Sequence, residues 1–133
     1  MARILVVEDD PSVQQLVRLT LELEGHAVAI EATGIGAVGA ARGCDVVVLD
    51  VMLPGVDGLE VCRALRMDAV TAAVGVVMVS ALAQAGDTEA GLAAGADAYL
   101  TKPFEPRDLI RLVDEVLANR HSPGPREPIP LQR

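Results

Sequence analysis

Aromatic side chains are nearly missing from this chain, which has one Tyr, one Phe and no Trp in 133 residues. Stacking on nucleic-acid bases or on a flavin ring needs such platforms and is all but excluded. Basic residues are also few, 11 Lys and Arg against 19 Asp and Glu, for a formal net charge of -8. A chain this acidic has no counterion-release drive toward nucleic acid or an anionic membrane, so direct binding to either is not expected. No apolar run is long enough to span a bilayer and no signal peptide precedes the first strand, which points to a cytoplasmic protein. Cysteine is limited to Cys44 and Cys62. Their spacing fits no metal site, and both read as small hydrophobes near a core rather than reactive groups.

What is present is aliphatic. Hydrophobic residues make up 51% of the chain, mostly Ala and Val, and this length supports one core without disulfides. The central stretch is Val46-Val47-Val48-Leu49-Asp50, followed by Val51-Met52-Leu53-Pro54-Gly55. A short β-branched run closed by Pro-Gly reads as a strand buried on both faces, as in a parallel sheet covered by helices. Its last residue is a carboxylate, at the strand end where ligands bind in open α/β sheets.

The rest of the chain repeats that pattern. Arg3 to Val7 forms a first strand that ends in Glu8-Asp9-Asp10, and Pro11 then opens a helix capped by Asp10 and stopped near Gly25. His26 to Ala32 reads as a second strand, with His26 an edge or loop residue and not a ligand. A third helix opens at Asp57-Gly58 and runs to about Met67. Gly75 to Val79 is a fourth strand ending at Ser80, followed by an Ala-rich helix from Asp87 to Ala94 with Gly91 inside it. Few large side chains anchor that fourth helix, so it should shift easily. Ala98 to Thr101 is a fifth strand ending at Lys102-Pro103, and Pro106 opens the last helix. Residues 1–120 thus form one domain. The Pro-rich segment 121–133 reads as a linker or loose tail.

Thr33-Gly34-Ile35-Gly36-Ala37-Val38-Gly39 carries the letters of the dinucleotide fingerprint. Two features argue against that reading. The helix left before Gly43-Cys44 is too short, and Asp50 arrives too early to be the ribose-binding acid. The segment reads instead as a weak Ala/Gly helix, since each interior Gly costs about 1 kcal/mol relative to Ala.

Five strands alternating with five helices give a doubly wound α/β fold with a five-stranded parallel sheet and right-handed crossovers. One sheet edge then gathers Glu8, Asp9, Asp50, Ser80 and Lys102. Two carboxylates about 4 Å apart repel by roughly 4 kcal/mol at an effective dielectric near 20. Lys102 alone cannot balance three of them, so a divalent cation is implied, and an all-oxygen site suits Mg2+.

Val6-Val7-Glu8-Asp9-Asp10, Leu49-Asp50-Val51-Met52-Leu53-Pro54-Gly55-Val56-Asp57-Gly58, Val79-Ser80-Ala81 and Asp97-Ala98-Tyr99-Leu100-Thr101-Lys102-Pro103-Phe104 together resemble the CheY-like receiver domain of two-component response regulators. The likeness covers about Ala2 to Asn119. It implies a flavodoxin-like strand order 2-1-3-4-5 and phosphorylation of Asp50 by a sensor histidine kinase or phosphotransfer protein. It further implies that Asp9, Asp50 and the Met52 backbone carbonyl hold Mg2+ directly, with Glu8 acting through water. Ser80 and Lys102 would bind the phosphoryl group, the Tyr99 ring would turn inward, and the bond before Pro103 would be cis. Taken alone, Tyr99 reads as a half-buried strand residue and Phe104 as a core anchor. The output surface implied is the fourth helix, fifth strand and fifth helix, acting on an unnamed partner.

The chain also departs from that pattern. Ser80 stands where Thr is commoner. Met52 and Leu82, two residues after Asp50 and Ser80, cannot orient an attacking water, which predicts a long-lived phosphoryl group. Receivers joined to winged-helix domains resemble one another in carrying an acid where this chain has Ala98 and an Arg near Leu112, so their symmetric dimer is not implied; the expectation is a monomer or a phosphorylation-dependent dimer. The chain is expected to be a phospho-acceptor switch, not an enzyme on other substrates. A Mg2+-dependent phosphatase with an aspartyl nucleophile would usually carry a second acid at Met52.

Overall fold

The computed structural model describes residues 1–119. The expected tail therefore lies outside the described residues. The strands are β1 (Arg3–Val7), β2 (Ala27–Glu31), β3 (Val46–Asp50), β4 (Gly75–Ser80) and β5 (Ala98–Thr101), and the helices are α1 (Pro11–Leu23), α2 (Ala37–Ala41), α3 (Gly58–Met67), α4 (Ala85–Ala94) and α5 (Pro106–Asn119). The strands form one sheet in the order β2-β1-β3-β4-β5, with every pairing parallel.

Strand pleating divides the core in two. Ile4, Val6, Val46, Val48, Val77, Val79 and Leu100 face Val17 and Leu21 of α1 and Leu109, Leu112, Val113 and Val116 of α5. The alternate residues Leu5, Val7, Val47, Leu49, Val76, Met78 and Tyr99 face Ala37 and Ala41 of α2, Val61, Cys62 and Leu65 of α3, and Ala94 of α4. Successive side chains on a strand point to opposite faces, so a strand covered on both sides must be apolar throughout. All five residues of β3 are buried, whereas β2, at the sheet edge, is only half covered.

Local chemistry sets the helix starts. The Asp10 carboxylate accepts the Ser12 N–H at 2.8 Å ahead of Pro11, and Asp57 accepts the Glu60 N–H at 2.9 Å. Each thereby satisfies a donor that the first helical turn leaves open. The helix expected from Asp87 begins two residues earlier, at Ala85, because the Asp87 carboxylate reaches back to the Gln84 N–H at 3.2 Å. The second strand is shorter than read from sequence: His26 stays outside it, with Nδ1 accepting the Ala2 N–H at 3.0 Å. The glycine run makes a turn and a five-residue α2. Phe104 is partly buried against the α1/α5 layer, Cys62 is buried and Cys44 half-buried.

Candidate functional site

The parallel register brings the carboxyl ends of four strands to one edge. Glu8 follows β1, Asp50 ends β3, Ser80 ends β4 and Lys102 follows β5. Val7 pairs with Leu49, Asp50 with Val79 and Ser80 with Thr101, so these ends are level across the sheet. Glu8 and Asp50 are only 3% and 5% exposed, while Asp9 beside them is open to solvent. One carboxylate oxygen from each of Glu8, Asp9 and Asp50 lies within 4.8 Å of the others.

Lys102 is the cation of this cluster. Its Nζ donates to Glu8 Oε1 at 2.7 Å and to Asp50 Oδ2 at 3.2 Å. Burial works against the ammonium, but the bond to Glu8 and the charges of Asp50 and Glu8 outweigh it, so the Lys102 pKa is raised overall. The second oxygen of each buried acid is also held. Glu8 Oε2 accepts the Asp10 N–H at 3.0 Å, and Asp50 Oδ1 accepts the Met52 N–H at 3.0 Å. Gln14 Nε2, from α1, fixes the Glu8 main-chain carbonyl at 2.7 Å. Among the described residues, no hydrogen bond or ion pair engages the Asp9 side chain, which leaves it available on the open side of the crevice.

The hydroxyl side is built through one peptide. Ser80 is fully buried, and its Oγ accepts the Leu82 N–H at 3.1 Å; the Leu82 carbonyl in turn accepts the Tyr99 O–H at 2.8 Å. Tyr99 is 3% exposed, not half-buried as its sequence neighbours suggest. Its ring lies against Gly91 of α4, where an added Cβ would come within 2.9 Å of ring carbon Cδ2. Burial raises the Tyr99 pKa, opposed by a hydrogen bond with Ser80 and assisted by the charges of Asp87 and Asp50. The Met52 and Leu82 side chains face solvent at the rim, and the Lys102–Pro103 peptide is cis.

Three residues have roles here that their sequence signals did not reveal. Gln14 reads as a helix-surface residue and Leu82 acts through its main chain. Gly58 shows in sequence as a helix opener at the end of a motif, yet a Cβ added there would overlap the Asp50 peptide.

A doubly wound α/β domain with three convergent carboxylates, an ammonium and a buried hydroxyl at its strand ends defines a class of oxygen-rich cation and phosphate sites. The chain belongs to the response regulator receiver domain family, whose model matches residues 4–114. It is 47% identical over 130 residues to the transcriptional regulatory protein TcrA of Mycobacterium tuberculosis, covering 96% of this chain and 48% of that protein. It is 42% identical over 119 residues to the DNA-binding dual master transcriptional regulator RpaA of Synechocystis, covering 88% of this chain and 49% of RpaA. The chain thus spans about half the length of these curated relatives. Among solved structures it is similar to the receiver domain of a Pseudomonas aeruginosa sensor histidine kinase, described with a magnesium ion coordinated in the active-site cleft. That match has TM-score 0.81, 34% identity, and coverage of 88% of this chain and 98% of that one. No helix among the described residues is long and apolar enough to cross a membrane.

Proposed function

We propose that Asp50 accepts a phosphoryl group from the phosphohistidine of a kinase or phosphotransfer protein, and that the new charge switches the α4–β5–α5 surface toward a partner or output domain. The observation that carries this reading is the charge balance of the crevice. Three carboxylates lie within 4.8 Å of one another, and the single ammonium beside them pairs with Glu8 and Asp50 alone. A divalent cation with oxygen preference fits that donor set, through Asp9, Asp50 and the Met52 carbonyl, with Glu8 acting through water. When bound, Mg2+ would neutralise phosphoryl oxygens and lower the repulsion between the incoming group and Asp50.

An Asp50 carboxylate oxygen attacks phosphorus in line, the P–N bond to the donor imidazole breaks, and an acyl phosphate forms on Asp50. Lys102 neutralises one equatorial oxygen. The Ser80 hydroxyl, today an acceptor from Leu82, turns to donate to another. Because Leu82 also accepts from Tyr99, any movement of that peptide is felt by the ring and by α4. The added charge of about -1.5 to -2 supplies the bias. The domain does no chemistry beyond its own phosphorylation and dephosphorylation, and the exposed apolar side chains of Met52 and Leu82 leave attacking water unoriented, giving a long-lived phosphoryl group.

Two surfaces fit the partners. On α1, which starts beside Asp9, the side chains of Leu16, Leu19 and Leu23 are exposed on one stripe at helical spacing; this suits an apolar helix of the phosphodonor. On the output side, Ala98 and Leu112 are buried in the chain's own core, so that face has no charged pair at those positions for a symmetric dimer. The domain works as a monomer or as a dimer formed on phosphorylation, in the cytoplasm, and contact with DNA is left to whatever output domain or partner it controls.

The test is intact mass after incubation with acetyl phosphate and Mg2+. Wild type should gain one phosphoryl group and Asp50→Asn none. Equal labelling of both proteins, or decay of the label within seconds, would contradict the acceptor and lifetime assignments respectively.

A further inference from the structure

We propose that Gly58 is a positioning residue for the acceptor: the first residue of α3 presses on the Asp50 peptide and thereby sets the directions of the Asp50 carboxylate and the Met52 carbonyl. This rests on the reading of Asp50 and Met52 as cation ligands given above. An ideal Cβ on Gly58 would lie 2.2 Å from the Asp50 carbonyl oxygen, 2.6 Å from Val51 Cα and 2.9 Å from the Asp50 carbonyl carbon. All three are backbone atoms, so no rotamer change relieves the overlap. Gly58 is not among the glycines with positive φ. What requires glycine here is the close approach, not an unusual backbone conformation.

The contact closes a loop. The Gly58 N–H donates to the Val51 carbonyl at 2.8 Å, and the Leu53 N–H shares that acceptor at 3.2 Å. The segment between Val51 and Gly58 is thus clipped at its base, one residue beyond Asp50. Inside it, the Met52 N–H orients Asp50 Oδ1 at 3.0 Å. Pushing α3 away from the sheet, or pushing the Asp50–Val51 peptide outward, displaces the carboxylate and the Met52 peptide together. An ångström-scale shift in a constellation of this kind costs on the order of 100-fold in rate.

The experiment uses Gly58→Ala, with Gly86→Ala as control. Gly86 also sits in the first turn of a helix, but its Cβ would meet nothing within 4 Å. Mg2+ affinity is read by calorimetry, and labelling by acetyl phosphate is expressed per folded molecule from circular dichroism. Gly58→Ala should weaken Mg2+ binding at least tenfold and slow labelling at least tenfold, while Gly86→Ala matches wild type. A Gly58→Ala protein that melts earlier but binds Mg2+ as wild type does would overturn the proposal. If wild type takes up no phosphoryl group, the acceptor reading falls and the Mg2+ titration alone decides the role of Gly58. Should Gly58→Ala not fold, Asp57→Ala frays the same turn by removing its cap, whereas Asp57→Ser keeps a capping oxygen without the charge. Threefold weaker Mg2+ binding in Asp57→Ala, restored in Asp57→Ser, supports the proposal; equal affinity in both contradicts it.

Discussion

The two ends of the sheet each bury a carboxylate beside a cation, and they do opposite things with it. At the amino-terminal edge, Asp97 is 3% exposed and its Oδ2 accepts both Arg66 Nη2 at 3.1 Å and the Val76 N–H at 2.8 Å. The rest of the Arg66 guanidinium is spent on the carbonyls of Gly95, Ala72 and Val74. One acid meets one planar base, and the donors of that base are distributed over the α3–β4 loop and the turn that ends α4. At the carboxyl edge, three acids cluster and one lysine pairs with two of them, Glu8 and Asp50. Lysine is a point charge on a flexible stem and cannot satisfy them all. The balanced end is a staple that fixes α3 to the start of β4 and β5. The unbalanced end keeps an excess of negative charge in a cluster that could hold a metal ion.

The widest separation between the ends should come from Asp50→Asn, which is expected to abolish labelling completely while leaving urea stability in the absence of metal unchanged or slightly higher, because one member of a repelling cluster is gone. A marked loss of stability would mean that Asp50 serves the fold as Asp97 does. Next in size is Arg66→Met. It strands the buried Asp97 carboxylate and should cost about 3–5 kcal/mol in urea unfolding, the range for breaking a buried pair from one side. Mg2+ should recover no more stability in this variant than in wild type.

Lys102→Met is the matching change at the other end, and about 1–2 kcal/mol is expected in the absence of metal, since the lysine is partly solvated and its net worth correspondingly small. Here Mg2+ should recover more stability than in wild type, because the uncompensated acids bind it more tightly. Equal recovery in Arg66→Met and Lys102→Met would erase the distinction between staple and site.

The smallest effect is a pH dependence. The Lys102 pKa is raised above 10.5, so its stabilising contribution is complete below about pH 10.5 and is lost as pH rises through the higher folded value. The buried Cys62 thiol intrudes, since burial raises its pKa from 9.0 to about 11. The unfolded chain therefore ionises first, and wild type loses stability between those two values. In a Cys62→Ala background that loss should shrink to what Cys44 and Tyr99 supply, since burial raises their pKa values too, and the fall above about pH 10.5 should be shallower still when Lys102→Met is added. Urea titrations at stepped pH resolve the two.

The fold could be read from sequence because the strands are short aliphatic runs, rich in β-branched residues in β3 and β4, and most breaks carry Gly, Pro or a capping acid. The strand ends could be read for the same reason: a parallel sheet delivers Glu8, Asp50, Ser80 and Lys102 to one edge whatever the intervening loops do. The staple could not. Arg66 and Asp97 are 31 residues apart, and Arg66 in sequence is an ordinary polar position on an amphipathic helix. The start of α4 was hidden because Asp87 acts backward, from inside the helix. Groups that work through main-chain atoms, as Leu82 does between Ser80 and Tyr99, leave no residue signature at all. The burial of Tyr99 depends on the missing side chain at Gly91, a vacancy that local periodicity does not report.

The central claim is that the phosphoryl group goes to one carboxylate among three crowded together, and hydride trapping tests it most directly. Borohydride reduces an acyl phosphate to the alcohol with release of phosphate, marking the acceptor in the peptide chain. After labelling with acetyl phosphate and Mg2+, peptide mass analysis should find the reduced residue at position 50 alone. Reduction at Glu8 or Asp9, or a labelled protein that yields no reduced residue, would contradict the account.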